Sequence, residues 1–221
     1  MQSRKLKWVA VYAVAMAYVE AACVVYLRRL YGIGDLLRDV APYDPMLAPI
    51  ELGREAATLV MILAVGRAAG RSRQARFGMA CVAFGTWDIF YYLWLRLLIH
   101  WPASLLTPDI LFLLPLPWWG PVLAPVLVAL LSVAGGILAV VHDDSGRPMR
   151  LGALGRIALL AGTLAVLYSF MADALGALPA DAEALNRLRP TAFGWPVFLT
   201  GYLAMIGAVG QAARSAFRSS S

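Results

Sequence analysis

The stretch PVLAPVLVALLSVAGGILAVV, residues 121–141, is 21 residues long and contains no charged side chain. At a rise of about 1.5 Å per residue, a helix of this length crosses the roughly 30 Å hydrocarbon core of a bilayer. Hydrophobic residues make up 61% of the whole chain and charged residues only 14%, against about 25% charged residues in soluble proteins. The sequence therefore predicts an integral membrane protein and argues against a soluble enzyme.

Five further apolar stretches of spanning length lie along the 221-residue chain. The six predicted spans cover approximately residues 8–27, 49–65, 77–99, 121–141, 157–175 and 193–212. None of them alternates apolar and polar side chains as the strands of a membrane β-barrel do. We therefore expect an all-α polytopic membrane protein in which residues 1–221 form a single transmembrane domain, a six-helix bundle.

The segment between the third and fourth spans, residues 100–120, is apolar but contains four prolines: Pro102, Pro108, Pro115 and Pro117. Proline removes a backbone donor and interrupts helices, and a backbone group without a hydrogen bond cannot face lipid. We therefore expect this segment to lie along the membrane interface or to re-enter the bilayer partway.

Basic residues gather on one side of the predicted topology. That side receives the N-terminus, the loops at residues 67–76 and 142–156, and the C-terminal tail; it holds twelve of the 19 basic residues but only two of the 13 acidic ones. Such an excess of Lys and Arg is typical of the cytoplasmic face. We therefore predict that both termini are cytoplasmic, and we attribute the net charge of +6 to membrane topology rather than to nucleic-acid binding.

Three acidic side chains stand out within the predicted spans, one from each of the first three spans. An ionised side chain near the bilayer centre costs at least about 2.5 to 3.5 kcal/mol, so each acid requires an explanation. By helical rise, Glu20 lies roughly 18 Å and Asp88 roughly 16 to 17 Å from the cytoplasmic edge, while Glu55 enters from the opposite side. We therefore expect three helices to direct carboxylates toward one outward-biased polar pocket.

Hydrogen-bond donors and counter-charges lie near these acids. Tyr91 and Tyr92 follow Asp88 by one helical turn and could donate to its carboxylate or to a ligand. Arg96, on the same face of the third span, and Arg54, next to the acid of the second span, are candidate partners for the carboxylates. These residues therefore either form a binding site for a ligand, ion or proton, or connect the helices through structural salt bridges.

Motifs for cofactor chemistry are missing from the sequence. The two histidines, His100 and His142, lie at opposite ends of predicted spans and cannot share one haem or metal ion. No H-E-x-x-H zinc motif, Walker loop or dinucleotide-binding fingerprint occurs. We therefore expect no cofactor and no metal, the alternative being a metal ion held by Glu20, Glu55, Asp88 and His100.

Four blocks of sequence together carry a resemblance to known proteins: residues 6–20, GREAAT at 53–58, GTWDIFYY at 85–92 and PWWGP at 117–121. With these blocks the chain resembles a family of small polytopic bacterial inner-membrane proteins of unassigned function. The resemblance covers about residues 6–141 and implies a bacterial inner (plasma) membrane. It brings no catalytic residue to carry over.

A row of small residues, Ala13, Ala17 and Ala21, follows one face of the first span and permits close approach of another helix. That neighbour is either internal or part of another chain, so the row leaves open a membrane partner subunit or a homo-oligomer. The lipid bilayer is the other expected partner.

Three functions agree with these features, and the sequence does not name a substrate. In the first, the pocket binds or transports a cation, a proton or a small amine-bearing solute, which the acids Asp109 and Asp173 on the outer side would favour. In the second, the protein is an accessory subunit or assembly factor of a membrane complex. In the third, it is an intramembrane enzyme acting on a lipid or isoprenoid, with residues 100–120 as a lid.

Overall fold

The computed structural model describes residues 2–34, 36, 39 and 43–218 and is 73% helical. A short 3-10 turn at Ser3–Lys5 leads into the first helix. The helices are α1 (Leu6–Leu30), α2 (Leu47–Ala69), α3 (Arg73–Ile99), α4 (Leu123–Asp144), α5 (Ala153–Ala177), α6 (Ala182–Asn186) and α7 (Trp195–Arg218). The two strands are β1 (Pro108–Phe112) and β2 (Trp118–Pro121).

Five of these helices, α1, α3, α4, α5 and α7, are long and apolar enough to cross a membrane, as far as the described residues go. This confirms the coarse prediction of a mostly helical, multi-pass membrane protein. Helix α2 has 23 residues but carries Glu51, Arg54 and Glu55 within three turns, and it is not among the five. The predicted count of six spans is therefore not confirmed, because charge within α2 offsets its length.

The helices pack around α3, which contacts α1, α2 and α4, whereas α5 packs chiefly against α7. Backbones approach closely at glycines: a Cβ atom on Gly162 of α5 would lie only 2.5 Å from the carbonyl oxygen of Gly201 in α7. Small residues allow such approach, which replaces the hydrophobic driving force that is absent in lipid. The alanine row of α1 is also internal, since Ala13, Ala17 and Ala21 are each at most 1% exposed.

The proline-containing segment between α3 and α4 folds into a hairpin, which the sequence analysis did not predict. Strands β1 and β2 pair antiparallel, with Asp109 opposite Gly120 and Ile110 opposite Trp119. Prolines prevent these residues from forming a helix, and antiparallel pairing satisfies their backbone groups instead. This is the physical reason why the segment forms strands that the sequence did not predict. The hairpin contacts α4 and α5 through β2.

The two chain termini and two of the loops meet at one end of the bundle. The backbone amide of Gln2 donates to Asp144 over 3.1 Å, and the Gln2 side chain accepts from the amide of Arg71 over 2.6 Å. The amide of Arg150 donates to Ser215 near the end of α7 over 2.9 Å. We call this end the terminal end and the other, which carries β1 and β2, the hairpin end.

Candidate functional site: a buried cluster of acids and arginines

Helices α1 and α2 are joined by an ion pair beneath the hairpin end. The guanidinium group of Arg54 pairs with the carboxylate of Glu20, which is only 8% exposed. The Nε atom of Arg54 also lies 2.9 Å from Oε2 of Glu51. The hydroxyl of Thr58 donates to Glu20 Oε2 over 3.2 Å. Because Arg54 and Thr58 are one helical turn apart on α2, they reach the same carboxylate from one face.

Glu55 binds the turn of the hairpin. Its carboxylate is 6% exposed and accepts hydrogen bonds from the amides of Leu113, at 2.9 and 3.0 Å, and Leu114, at 3.2 Å. These amides lie between β1 and β2, where no strand partner is available to them. Glu55 therefore fastens the hairpin to α2 instead of facing a pocket.

A second ionic group lies where the hairpin meets α1 and α3. Asp109 of β1 is 2% exposed. Its Oδ2 accepts a 3.1 Å hydrogen bond from the Tyr92 hydroxyl, and its Oδ1 lies 3.9 Å from Nη2 of Arg28. The Arg28 guanidinium also lies over the Trp101 ring, 4.0 Å from its centroid. Burial raises the pKa of Asp109 to about 6, although Arg28 and Tyr92 act in the opposite direction.

Asp88 is the acid with the least compensation in this region. It is 8% exposed, and its Oδ2 is buried without a hydrogen-bond partner among the described residues. Its carboxylate interacts electrostatically with that of Asp109. The Asp88 and Asp109 carboxylates and the guanidinium groups of Arg28 and Arg54 all lie within electrostatic range of Tyr91, so the two ionic groups occupy one region of the structure.

Taken together, these groups form what we call the acid–arginine cluster. It contains five carboxyl groups and two guanidinium groups, an excess of three negative charges if every member is ionised. Its members are Glu20, Glu51, Glu55, Asp88, Asp109, Arg28 and Arg54. Uncompensated negative charge in a low-dielectric interior is costly, so the cluster favours the uptake of positive charge.

The structure places two of the predicted site residues differently. Arg96 does not pair with Asp88, because its Nη1 donates to the carbonyl oxygens of His100, at 2.7 Å, and Pro102, at 3.1 Å. The Tyr92 hydroxyl donates to Asp109 and not to Asp88. Both side chains bond residues that follow α3: Arg96 bonds the carbonyl oxygens of His100 and Pro102, and Tyr92 bonds the carboxylate of Asp109 in β1.

The alternative metal site is not assembled. Within the ranges that the structure describes, no group of three or more His, Cys, Asp or Glu side chains is arranged to hold a metal ion. Glu20 and Glu55 are occupied by Arg54 and by backbone amides, and His100 forms the C-terminal cap of α3 with a φ of 57°. Three of the four proposed ligands, Glu20, Glu55 and His100, therefore serve separate contacts.

Sequence reasoning missed Arg28 and misplaced Asp109. Arg28 lies eight residues beyond Glu20 on α1, so it shares that acid's helical face, and this spacing is a signal that could have found it. Asp109 was expected at an exposed acidic mouth but is buried, since β1 turns it inward against Tyr92. The inward direction of the Asp109 side chain follows from the pairing of β1 with β2, which the sequence analysis did not predict.

No protein-family model matches the chain, and neither a curated protein nor a solved structure is similar to it. The resemblance of residues 6–141 to bacterial inner-membrane proteins therefore stays a prediction. Function is inferred below from the geometry of the acid–arginine cluster itself.

Proposed function

We propose that this protein resides in a bacterial plasma membrane with α2 as a sixth span and both termini in the cytoplasm, and that its acid–arginine cluster binds a proton between Asp88 and Asp109. The protein would then belong to the cation- or proton-binding class rather than to the enzymes. The observation that carries the proposal is the buried Oδ2 of Asp88, which has no hydrogen-bond partner among the described residues and lies within electrostatic range of the buried Asp109 carboxylate.

The charge balance supports this assignment. Arg54 is already engaged by Glu20 and Glu51, and Arg28 faces Asp109 at 3.9 Å, which is long for an ion pair. Among the described residues, neither guanidinium group of the cluster forms an ion pair with Asp88. Two like charges in a low dielectric repel each other, and a proton or cation bound between them removes that repulsion.

The tightness of the site favours a proton over a larger ligand. Asp88 and Asp109 are 8% and 2% exposed, and Tyr91 and Tyr92 pack against each other beside them with ring centroids 5.0 Å apart. A proton needs no cavity, whereas a metal ion or an amine needs space and several oxygen ligands. Of the three possible ligands, a cation, a proton or a small amine, the tightness of the site therefore favours the proton.

The proposed orientation rests on the terminal end. The N-terminus, the α2–α3 and α4–α5 loops and the end of α7 meet there, and these segments contain most of the basic residues. Because Lys and Arg accumulate on the cytoplasmic side, the hairpin end would face the periplasm. The proton site would then lie nearer to the outer surface.

The test is infrared titration of the purified protein in detergent, following the C=O stretch of protonated carboxyl groups as the pH is lowered from mildly alkaline to mildly acidic. We expect D88N and D109N each to remove the same titrating band, because one proton is shared. D173N is the matched control, since Asp173 lies outside the cluster and bonds Thr191. A band that survives in both cluster variants would refute the proposal, and a band that sodium or methylammonium chloride suppresses would make a larger cation the ligand.

A second candidate function is that of an accessory subunit or assembly factor in a membrane complex. The observation in its favour is that Glu20 and Glu55 are saturated by Arg54, Thr58 and hairpin amides, so these two carboxylates act structurally. Purification in a mild detergent separates the two candidates. A stoichiometric partner protein would favour the accessory role, whereas a monomer that still titrates at Asp88 would favour proton binding.

A further inference from the structure

A groove opens between α1 and α2 at the terminal end, far from the acid–arginine cluster. Both helices pack against α3 but scarcely touch each other, which leaves a cavity of about 240 Å³ between them. Its walls are formed by Lys5, Trp8, Val9, Val65, Ala68 and Ala69. We call it the α1–α2 groove.

The groove is apolar along its length and basic at its rim. Val9, Val65 and Ala68 supply aliphatic surface, and the Lys5 ammonium donates across the groove to the carbonyl oxygen of Ala69 over 3.0 Å. An ammonium group has three donors, so Lys5 can also bond an anionic oxygen. The combination suits a molecule with an apolar chain and an anionic head.

Trp8 places the rim of the groove at the level of lipid headgroups. Its side chain is 66% exposed, and the Lys7 ammonium lies 5.4 Å from the centre of its ring. Tryptophan is enriched at the membrane–water interface, where its ring meets both apolar and polar surroundings. The apolar walls of the groove therefore extend from the headgroup level toward the bilayer interior.

Charge complementarity identifies the head of the occupant. Of the residues that the structure describes, Lys5 is the one charged residue that lines the groove. Asp143 and Asp144 of α4 lie at the same end, where they bond Gln2. Residues 2–19 and 56–72, which contribute both walls, contain no Asp or Glu. The basic residues that they do contain are Arg4, Lys5, Lys7, Arg67 and Arg71. Basic pockets between transmembrane helices bind the headgroups of anionic lipids.

We propose that the α1–α2 groove binds an anionic phospholipid, with the phosphate at Lys5 and one acyl chain along Val9 and Val65. The site lies in the leaflet that faces the terminal end. This inference rests on the proposal that α2 lies in the bilayer beside α1, but not on proton binding at Asp88, so lipid binding and proton binding can fail independently.

The experiment is native mass spectrometry of the detergent-purified protein with dioleoyl-phosphatidylglycerol or dioleoyl-phosphatidylcholine. We expect the anionic lipid to be retained preferentially, and K5Q to lower its binding about fivefold, the factor that one basic side chain contributes near an anionic surface. K5R should retain binding, because it keeps the charge. A68W should also reduce binding, because a bulky ring fills the groove without changing charge.

The matched control is R156Q, which removes one exposed positive charge at the same end but on α5, outside the groove. The proposal is overturned if R156Q weakens binding as much as K5Q does, if A68W has no effect in a monodisperse sample, or if the two lipids bind equally. Displacement of the lipid by inorganic phosphate would also overturn it, since the site would then recognise a free anion.

Discussion

Two regions of this bundle are held together by different kinds of contact. Helices α1 and α2 and the hairpin are joined by charge, through Arg54 with Glu20 and through Glu55 with two backbone amides. Helices α5 and α7 are joined by close backbone approach, with Gly162 against Gly201. The first kind of contact is directional and responds to protonation, whereas the second depends only on shape.

The difference indicates where a functional change can occur. A proton added to the acid–arginine cluster alters its charge balance and the contacts that fasten the hairpin. The same proton changes nothing at a glycine contact, so α5 and α7 provide a fixed support. Substitutions that act on one region and not on the other test this division.

The largest effect is expected for R54A. Removing the guanidinium group leaves the Glu20 carboxylate buried without its ionic partner, which costs about 3 to 5 kcal/mol in stability. Unfolding by a denaturing detergent in mixed micelles measures the loss. R187A is the matched control, because Arg187 pairs with Glu183 at an exposed site, with side chains 69% and 55% exposed, where such a pair contributes about 0 to 1 kcal/mol.

Equal losses in R54A and R187A would contradict the role assigned to burial. Neither ion pair includes a residue of α5 or α7, so the loss of stability in R54A reports on the charged region alone. Their packing should persist when the α1–α2 pair is broken.

The ion pair shows how far sequence reasoning reached. Glu20, Glu55 and Asp88 were expected to converge on one pocket, and this stays a prediction; in the structure Glu20 pairs with Arg54 and Glu55 binds hairpin amides. The depth of each acid along its helix was predictable, since helical rise sets it. Their partners were harder to predict. Arg54 was expected beside Glu55 along the chain but pairs with Glu20 on another helix, because the relative rotation of α1 and α2 decides which acid it reaches.

The second-largest loss of stability is expected at the glycine contact between α5 and α7. A Cβ atom on Gly162 would lie 2.5 Å from the Gly201 carbonyl oxygen, so G162A must separate the helices and should cost about 1 to 3 kcal/mol. G207A on α7 is the control, since a Cβ there meets nothing within 4 Å. It should leave stability unchanged or raise it by up to about 1 kcal/mol, because alanine favours the helix.

Opposite signs for G162A and G207A in the same unfolding assay would confirm that shape, and not glycine content, holds this region together. A loss of equal size in both variants would contradict it. G162A should leave the carboxyl infrared band of the acid–arginine cluster unchanged, because that helix pair carries none of the cluster's acids.

The outlines of the long helices followed directly from hydropathy, and the hairpin did not. The first span was expected at residues 8–27 and α1 runs from Leu6 to Leu30, while the fourth was expected at 121–141 and α4 runs from Leu123 to Asp144. An apolar run dictates a helix in lipid because each backbone group must be satisfied within the segment. The hairpin depends on pairing between two short strands, which local sequence does not encode, and the burial of Asp109 depends on the hairpin.

The smallest expected effect is a dependence of stability on pH that originates at Asp109. Its pKa rises from the ordinary value of 3.8 to about 6 in the folded protein, so the folded state binds the proton more tightly than the unfolded state. This group therefore adds stability below pH 3.8, and the contribution disappears as the pH rises through about 6. Thermal unfolding in detergent across this range should show a midpoint that falls by a few degrees toward neutral pH, a slope that D109N reduces and D173N keeps. If the unfolding midpoint of D109N depends on pH with the same sign and size, the titration belongs to another group. The hairpin region would then be as insensitive to protons as α5 and α7.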